Sequence, residues 1–174
     1  MVSAAHGYAR FAVESPPYNL LDRRAEVERI PLCRKYGLGV LPWSPLAMGM
    51  LAGRHPPDAS FPEGSRAARD PEGIYAQRVN RRGARIGSQV AKLADERGIT
   101  AGQLALLWLK DQPGVTAPIV GPRTLAQLEE MLAVADRRVD ETLCSTLDAL
   151  NPPGTAAANF HNTSGWLMSK VDDG

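Results

Sequence analysis

Two short segments of this sequence carry residues suited to holding a phosphate. Trp43, Ser44, Pro45, Leu46, Ala47 and Met48 follow one short apolar run, and Gly121, Pro122, Arg123 and Thr124 follow another. A helix amino terminus with free backbone N–H groups attracts phosphate, and an adjacent arginine adds a bidentate fork. Gly121 allows close backbone approach, Arg123 supplies charge, and Thr124 opens a helix. Gln127 and Glu130 come one and two turns later, on the same side as Thr124. A strand-to-helix turn with a solvated arginine has the same sequence signature, because short glycine motifs match often by chance. Trp43 can present its ring to a flat heteroaromatic, but a core tryptophan reads identically. Ser44 and the backbone after it suit a pyrophosphate or an ordinary Ser-Pro turn. Arg54 and Arg66 bracket a proline-rich stretch able to fold over an anion, and solubility alone also explains surface arginines. Together the two segments point to a phosphate-bearing cofactor.

The elements that position these residues alternate in type. Residues 10–14 read as a short strand stopped by Pro16-Pro17. Val27, Ile30 and Cys33 give helical spacing over residues 24–36, with Pro31 predicting a kink or late start and Gly37 a stop. Residues 39–43 suit a strand buried on both faces. Residues 48–73, rich in proline and glycine with little periodicity, predict a long functional surface loop. Helices are expected over 75–97, over 101–111 behind Thr100, over 125–135 behind Thr124, and from Asp140 to Leu150. Pro118-Ile119-Val120 reads as a third strand, and residues 154–174 as a loosely ordered tail. This order argues for parallel βα units, an α/β fold. Ligands of such folds sit at the carboxyl ends of the strands.

Composition narrows the function classes. Across 174 residues the net charge is +1, so no global field recruits nucleic acid or an anionic membrane. Arg78, Arg81, Arg82 and Arg85 fall at helical spacing and read as a solvated face rather than a nucleic-acid contact. The two cysteines, Cys33 and Cys144, share no metal or redox spacing and read as small core residues in a reducing cytosol. His6, His55 and His161 read as incidental surface groups. Without a signal-peptide core or a long apolar stretch, the expectation is a soluble, cytoplasmic protein with no membrane partner.

Several motifs in order resemble the aldo-keto reductase superfamily. They are Pro17-Tyr18-Asn19-Leu20-Leu21-Asp22-Arg23, the run from Pro42 through Arg54, the run from Thr100 through Trp108, and Pro118 through Thr124 followed by Gln127-Leu128-Glu129-Glu130. The resemblance implies a (β/α)₈ TIM barrel that binds NADP(H) and reduces carbonyls, with this chain matching its carboxyl-terminal strands and helices over residues 1–153. It implies that Trp43 stacks on nicotinamide and that Ser44, Pro45, Leu46, Ala47 and Met48 contact the pyrophosphate. It further implies that Arg54 and Arg66 belong to the covering loop, and that Gly121, Arg123, Gln127 and Glu130 serve the adenosine 2′-phosphate and adenine. Ser15 stands where family members usually carry a glutamine, and Met131 where an asparagine is common. No residue matches the family's catalytic tetrad, so no catalytic residue is assigned. The resemblance leaves three readings: a carbonyl oxidoreductase seen through its cofactor-binding half, a non-catalytic module like the potassium-channel β-subunits of the superfamily, and a truncated, inactive fragment. Self-association, or pairing with an amino-terminal half, would complete the barrel.

Overall fold

The structure, a computed structural model, describes residues 2–161. Helix α1 (Val2–His6) precedes strand β1 (Val13–Glu14), and a 3₁₀ turn at Arg24–Glu26 leads into α2 (Arg29–Tyr36). Pro31 therefore falls in the first turn of α2, where its missing N–H costs little, and the helix starts late as expected. Val27, expected on the buried face, lies outside the helix and is 63% exposed, whereas Ile30 and Cys33 are buried. Gly37 ends α2 at φ 67°, a left-handed cap that favours glycine. Strand β2 (Gly39–Val40) then pairs in parallel with β1, Val13 opposite Gly39 and Glu14 opposite Val40. The pairing continues through a parallel bridge between Pro17 and Trp43.

The third expected strand forms no ladder among the described residues. Thr116 and Ala117 both donate to the Val40 carbonyl, and Ile119 donates to that of Pro42 at 2.7 Å. Residues 116–120 thus lie beside β2, but Pro118 has no N–H with which to continue the alternation.

The expected long loop is more structured than its composition suggests. Residues Ala47–Ala52 wind as 3₁₀ turns, and Ser65 caps the short α3 (Arg66–Arg69) by accepting from the Ala68 N–H. The single helix expected over 75–97 is two: α4 (Ile74–Gln77) and α5 (Arg81–Asp95). Asn80 separates them in an extended conformation, its side chain accepting from the Gly83 N–H at 2.8 Å and donating to the Ala157 carbonyl at 3.0 Å. A capping side chain with two partners outweighs helix continuity.

Helix α6 (Ala101–Lys110) starts with a reciprocal capping box between Thr100 and Gln103. Thr124 caps α7 (Leu125–Leu132), and Asp140 caps α8 (Glu141–Leu150) through the Leu143 N–H at 2.7 Å. The core gathers Leu20, Leu21, Val40, Met50, Leu51, Val90, Leu104, Trp108, Leu109 and Leu147, drawn from the loop after β1, from β2, the 3₁₀ segment and helices α5, α6 and α8, with α5 and α6 packed on each other and on the 3₁₀ segment. Helix α5 meets the 3₁₀ segment closely enough that a Cβ on Gly87 would lie 2.1 Å from the Met50 carbonyl oxygen.

The expected loose tail is corrected over its first part. Ala157 and Ala158 donate to the Leu21 carbonyl, Phe160 is 1% exposed, and its N–H donates to Asp22 at 2.9 Å. The anchors lie far upstream in sequence, which is why composition alone misread this segment. The rest of the expected tail, with Trp166, falls outside the described residues.

Candidate functional site

The turn after β2 is where the backbone departs furthest from ordinary conformations. Ser44, Ala47 and Met48 all take left-handed φ values (58°, 47° and 59°), followed by Gly49 at 95°. Each such non-glycine residue costs on the order of 1 kcal/mol, so surrounding contacts must hold the turn in place. Asn19, fully buried, is one holder: its Nδ2 donates to the Ser44 carbonyl at 3.0 Å, while its Oδ1 accepts from the N–H groups of Leu21 and Asp22. His55 is a second, its ring nitrogens facing the carbonyls of Met48 and Ser60.

This turn forms one wall of a cleft of about 380 Å³, a volume within the range of small-molecule sites. The wall comprises Ser44, Pro45, Leu46, Ala47, Met48 and Gly49; Arg54 and Glu63 come from the loop, Arg66 from the start of α3 and Tyr75 from α4, while Gly121 and Arg123 precede α7 and Gln127 and Met131 lie on it. All the residues expected from sequence therefore line one cleft except Trp43 and Glu130. Three arginines, Arg54, Arg66 and Arg123, converge on it with one carboxylate, Glu63. Arg66 lies over the Tyr75 ring at 5.2 Å, which orients its fork.

The Gln127 side chain accepts from the Arg123 N–H at 2.8 Å, so one amide at this helix start is already engaged. Glu130 faces α6 instead, accepting from the Thr100 hydroxyl at 2.6 Å. Trp43 stands immediately upstream of the wall, edge-on to Phe160 with ring centroids 6.4 Å apart. The Arg78 guanidinium lies 5.0 Å over its ring and 5.7 Å from that of Phe160. Arg78 is thus buried and leaves the solvated stripe expected of it, while Arg81, Arg82 and Arg85 are exposed. Burial pulls its pKa down from the usual arginine range.

His55 and His161, expected as incidental surface groups, are structural. His55 is 4% exposed in the cleft wall, and the His161 Nδ1 meets Asp22 at 3.1 Å. Burial alone would raise the Asp22 carboxyl, but Arg24, His161 and the Phe160 N–H together lower it to about 2. Tyr18 donates to Glu26 at 2.7 Å, and burial followed by the Glu26 charge pushes its phenol far above the usual range. Arg23, 2% exposed, bridges Glu26 and Asp148 beneath Trp108. Tyr18, Arg23 and Glu26 thus tie the domain together away from the cleft. Ser15 donates to the Leu41 carbonyl at 2.9 Å, so its hydroxyl links the two strands.

Sequence reasoning missed Asn19 as a holder of the turn, took His55 for an incidental surface group, and did not single out Glu63 or Tyr75 for the cleft. The signal for Asn19 was present, since an asparagine inside an apolar run must satisfy its amide. Cys33 and Cys144 are unpaired, and among the described residues no group of three or more His, Cys, Asp or Glu is placed to hold a metal. No helix among them is long and apolar enough to cross a membrane. The donor set of the cleft is cationic and rich in backbone, which suits phosphate oxygens.

Comparison with known proteins places the chain in a family. The Aldo/keto reductase family matches residues 1–152. An uncharacterized oxidoreductase of Bacillus subtilis is 35% identical over 145 residues, covering 81% of this chain and 41% of that protein. An aldo-keto reductase of Fusarium vanettenii is 34% identical over 149 residues, covering 86% of this chain and 39% of its own length. A probable voltage-gated potassium channel subunit beta of Arabidopsis thaliana is 36% identical over 129 residues, 71% of this chain and 38% of that protein. The chain spans about two fifths of the length of these relatives. Its sparse strands, interspersed with helices along the chain, are consistent with part of a (β/α)₈ barrel. With the family matched over most of its length, this chain belongs to the aldo/keto reductase family.

Proposed function

We propose that the chain is the dinucleotide-holding portion of an NADP(H)-dependent oxidoreductase that interconverts a carbonyl and an alcohol. The observation that carries this reading is the convergence of Arg54, Arg66 and Arg123 on one cleft walled by a left-handed turn. Arg123 at the start of α7 holds the 2′-phosphate, with Gly121 admitting it and Gln127 fixing the turn. Ser44 through Met48 cradle the pyrophosphate, and Arg54 and Arg66 close over it. Glu130, steadied by Thr100, backs the adenosine end, and Trp43 flanks the nicotinamide. The bound cofactor supplies the hydride. None of the cleft residues is proposed as the acid that protonates the developing alkoxide. The setting proposed is the cytoplasm, in keeping with two unpaired thiols.

Titrating NADPH and NADH against tryptophan fluorescence tests the binding. NADPH is expected to saturate, and Arg123→Ala to weaken it about tenfold or more while changing NADH little, because a phosphate fork is lost. Equal losses for both cofactors, or no response to NADPH, would overturn the assignment. Mixed with NADPH and an aldehyde, the chain alone is expected to leave the cofactor absorbance steady. Sustained oxidation would show that the proton donor lies within it.

The relatives named as potassium channel subunits favour a second reading, an NADPH-binding module whose role is interaction rather than turnover. Here the chain binds NADPH equally well but pairs with itself or with an amino-terminal half. Mass by size exclusion, with and without NADPH, separates the two: a folded monomer in both conditions counts against pairing.

A further inference from the structure

Trp43, Arg78 and Phe160 meet from segments that are anchored separately. Trp43, just past β2, donates its N–H to the Pro16 carbonyl at 3.1 Å. Arg78 ends α4 close before Asn80, whose side chain donates to the Ala157 carbonyl at 3.0 Å. Phe160 is held by its own N–H, which donates to Asp22 at 2.9 Å. Where they meet, the Arg78 guanidinium lies 5.0 Å from the centroid of the Trp43 ring and 5.7 Å from that of Phe160. The two rings are inclined at 68° to each other, edge to face. Two aromatic rings thus brace one cation, and that cation lies over one face of the indole. Unlike Arg54, Arg66 and Arg123, Arg78 does not line the cleft.

An indole has two faces, and with a guanidinium over one of them a flat ligand ring stacks on the other. Guanidinium keeps its charge throughout the physiological pH range. The π-face that attracts it is negative, and the cation's field, acting through the ring, leaves the far face less negative than that of an isolated indole. A nicotinamide ring arrives there in one of two charge states. Oxidised, it is a pyridinium cation; reduced, it is a neutral dihydropyridine.

We propose that Arg78 biases the Trp43 face toward the reduced cofactor, a specificity-determining residue that weakens NADP+ more than NADPH. The inference rests on the reading that Trp43 flanks the nicotinamide. Stacked in van der Waals contact, the pyridinium would lie roughly 8 Å from the guanidinium. Two like charges at that separation repel enough to cost about fivefold in affinity or more, even with partial screening by water and salt. The neutral reduced ring escapes that repulsion. By linkage, the bound couple is drawn toward its reduced form. In the carbonyl-reducing direction NADPH enters and NADP+ leaves, so the bias favours both loading of the reductant and release of the spent cofactor.

Calorimetric titration of the chain with NADPH and, separately, with NADP+ tests this in wild type, Arg78→Lys and Arg78→Met. Wild type is expected to bind NADPH about fivefold or more tightly than NADP+, and Arg78→Lys, which keeps the charge, to preserve the preference. Arg78→Met is expected to bring the two affinities within about twofold, because only the charged ring feels the lost cation. A merely structural contribution would weaken both forms alike and leave their ratio where it was, which would overturn the proposal. Equal tightening of both forms in Arg78→Met would place the guanidinium where the nicotinamide itself belongs, and would overturn it too. Equal affinities in wild type sink it without recourse to any variant. A wild-type chain that binds neither form rejects the cofactor reading along with this one, whereas NADPH binding with no preference rejects this one alone.

Discussion

Asp22 shows how one side chain can hold distant parts of the molecule. It is fully buried and takes two hydrogen bonds from Arg24, at 2.9 and 2.7 Å, besides those from Phe160 and His161. Burial works against its charge, yet these partners bring it from 3.8 down to about 2. A carboxylate depressed on folding contributes stability that is complete above its unfolded pKa and disappears as pH falls through the folded one. The stabilisation here is about 2 kcal/mol, present above about pH 4 and lost on the way to about pH 2. Acid unfolding followed by circular dichroism should therefore steepen in that window, and Asp22→Asn should flatten it while lowering stability at neutral pH. An unchanged acid limb in the variant would show that other carboxylates set it. Arg123 belongs to the same scale: a few donors aimed at phosphate oxygens account for the role proposed.

At the scale of elements, the tightest joint is the crossing of α5 over the 3₁₀ segment Ala47–Ala52. A Cβ at Gly87 would lie 2.1 Å from a backbone oxygen, which cannot swing aside, whereas at Gly83 it would meet the flexible Met50 thioether at 2.8 Å. Gly87→Ala is expected to cost about 3 kcal/mol in urea unfolding and Gly83→Ala distinctly less, the difference being backbone against side chain. Equal costs would mean that the helix can shift bodily. Caps and stops were legible from sequence because they depend on neighbours: Thr100, Thr124 and Asp140 start their helices, and Gly37 ends one. The break at Asn80 was not, because its second partner is Ala157, 77 positions away. Residues 155–161 failed for the same reason, being ordered by Leu21 and Asp22 rather than by their own composition. The site split along the same line. The arginines and the glycine turn read plainly, while His55 owes its burial to a loop whose periodicity predicts nothing.

For the molecule as a whole, the β layer is brief and the stability lies in what packs upon it. Two strands of two residues each cannot define a sheet, so helices α5, α6 and α8 and the Arg23 network supply most of the ordering. Beside relatives of which it covers about two fifths, such a chain leaves Phe11 and Val13 exposed along the β1 side, at 85% and 46%. The cleft draws its walls from residues 44–131, on the side of α7 and the 3₁₀ segment. Closure of its foundation waits on the far end, since Phe160 reaches Asp22 across 138 positions. During synthesis the ribosome delivers Asp22 long before Arg24's other clasp, Asn159, and the ring of Phe160 emerge. A nascent chain halted near residue 150 would carry a carboxylate still open to water, and its core should remain open to proteases until the last dozen or so residues of this region clear the exit tunnel.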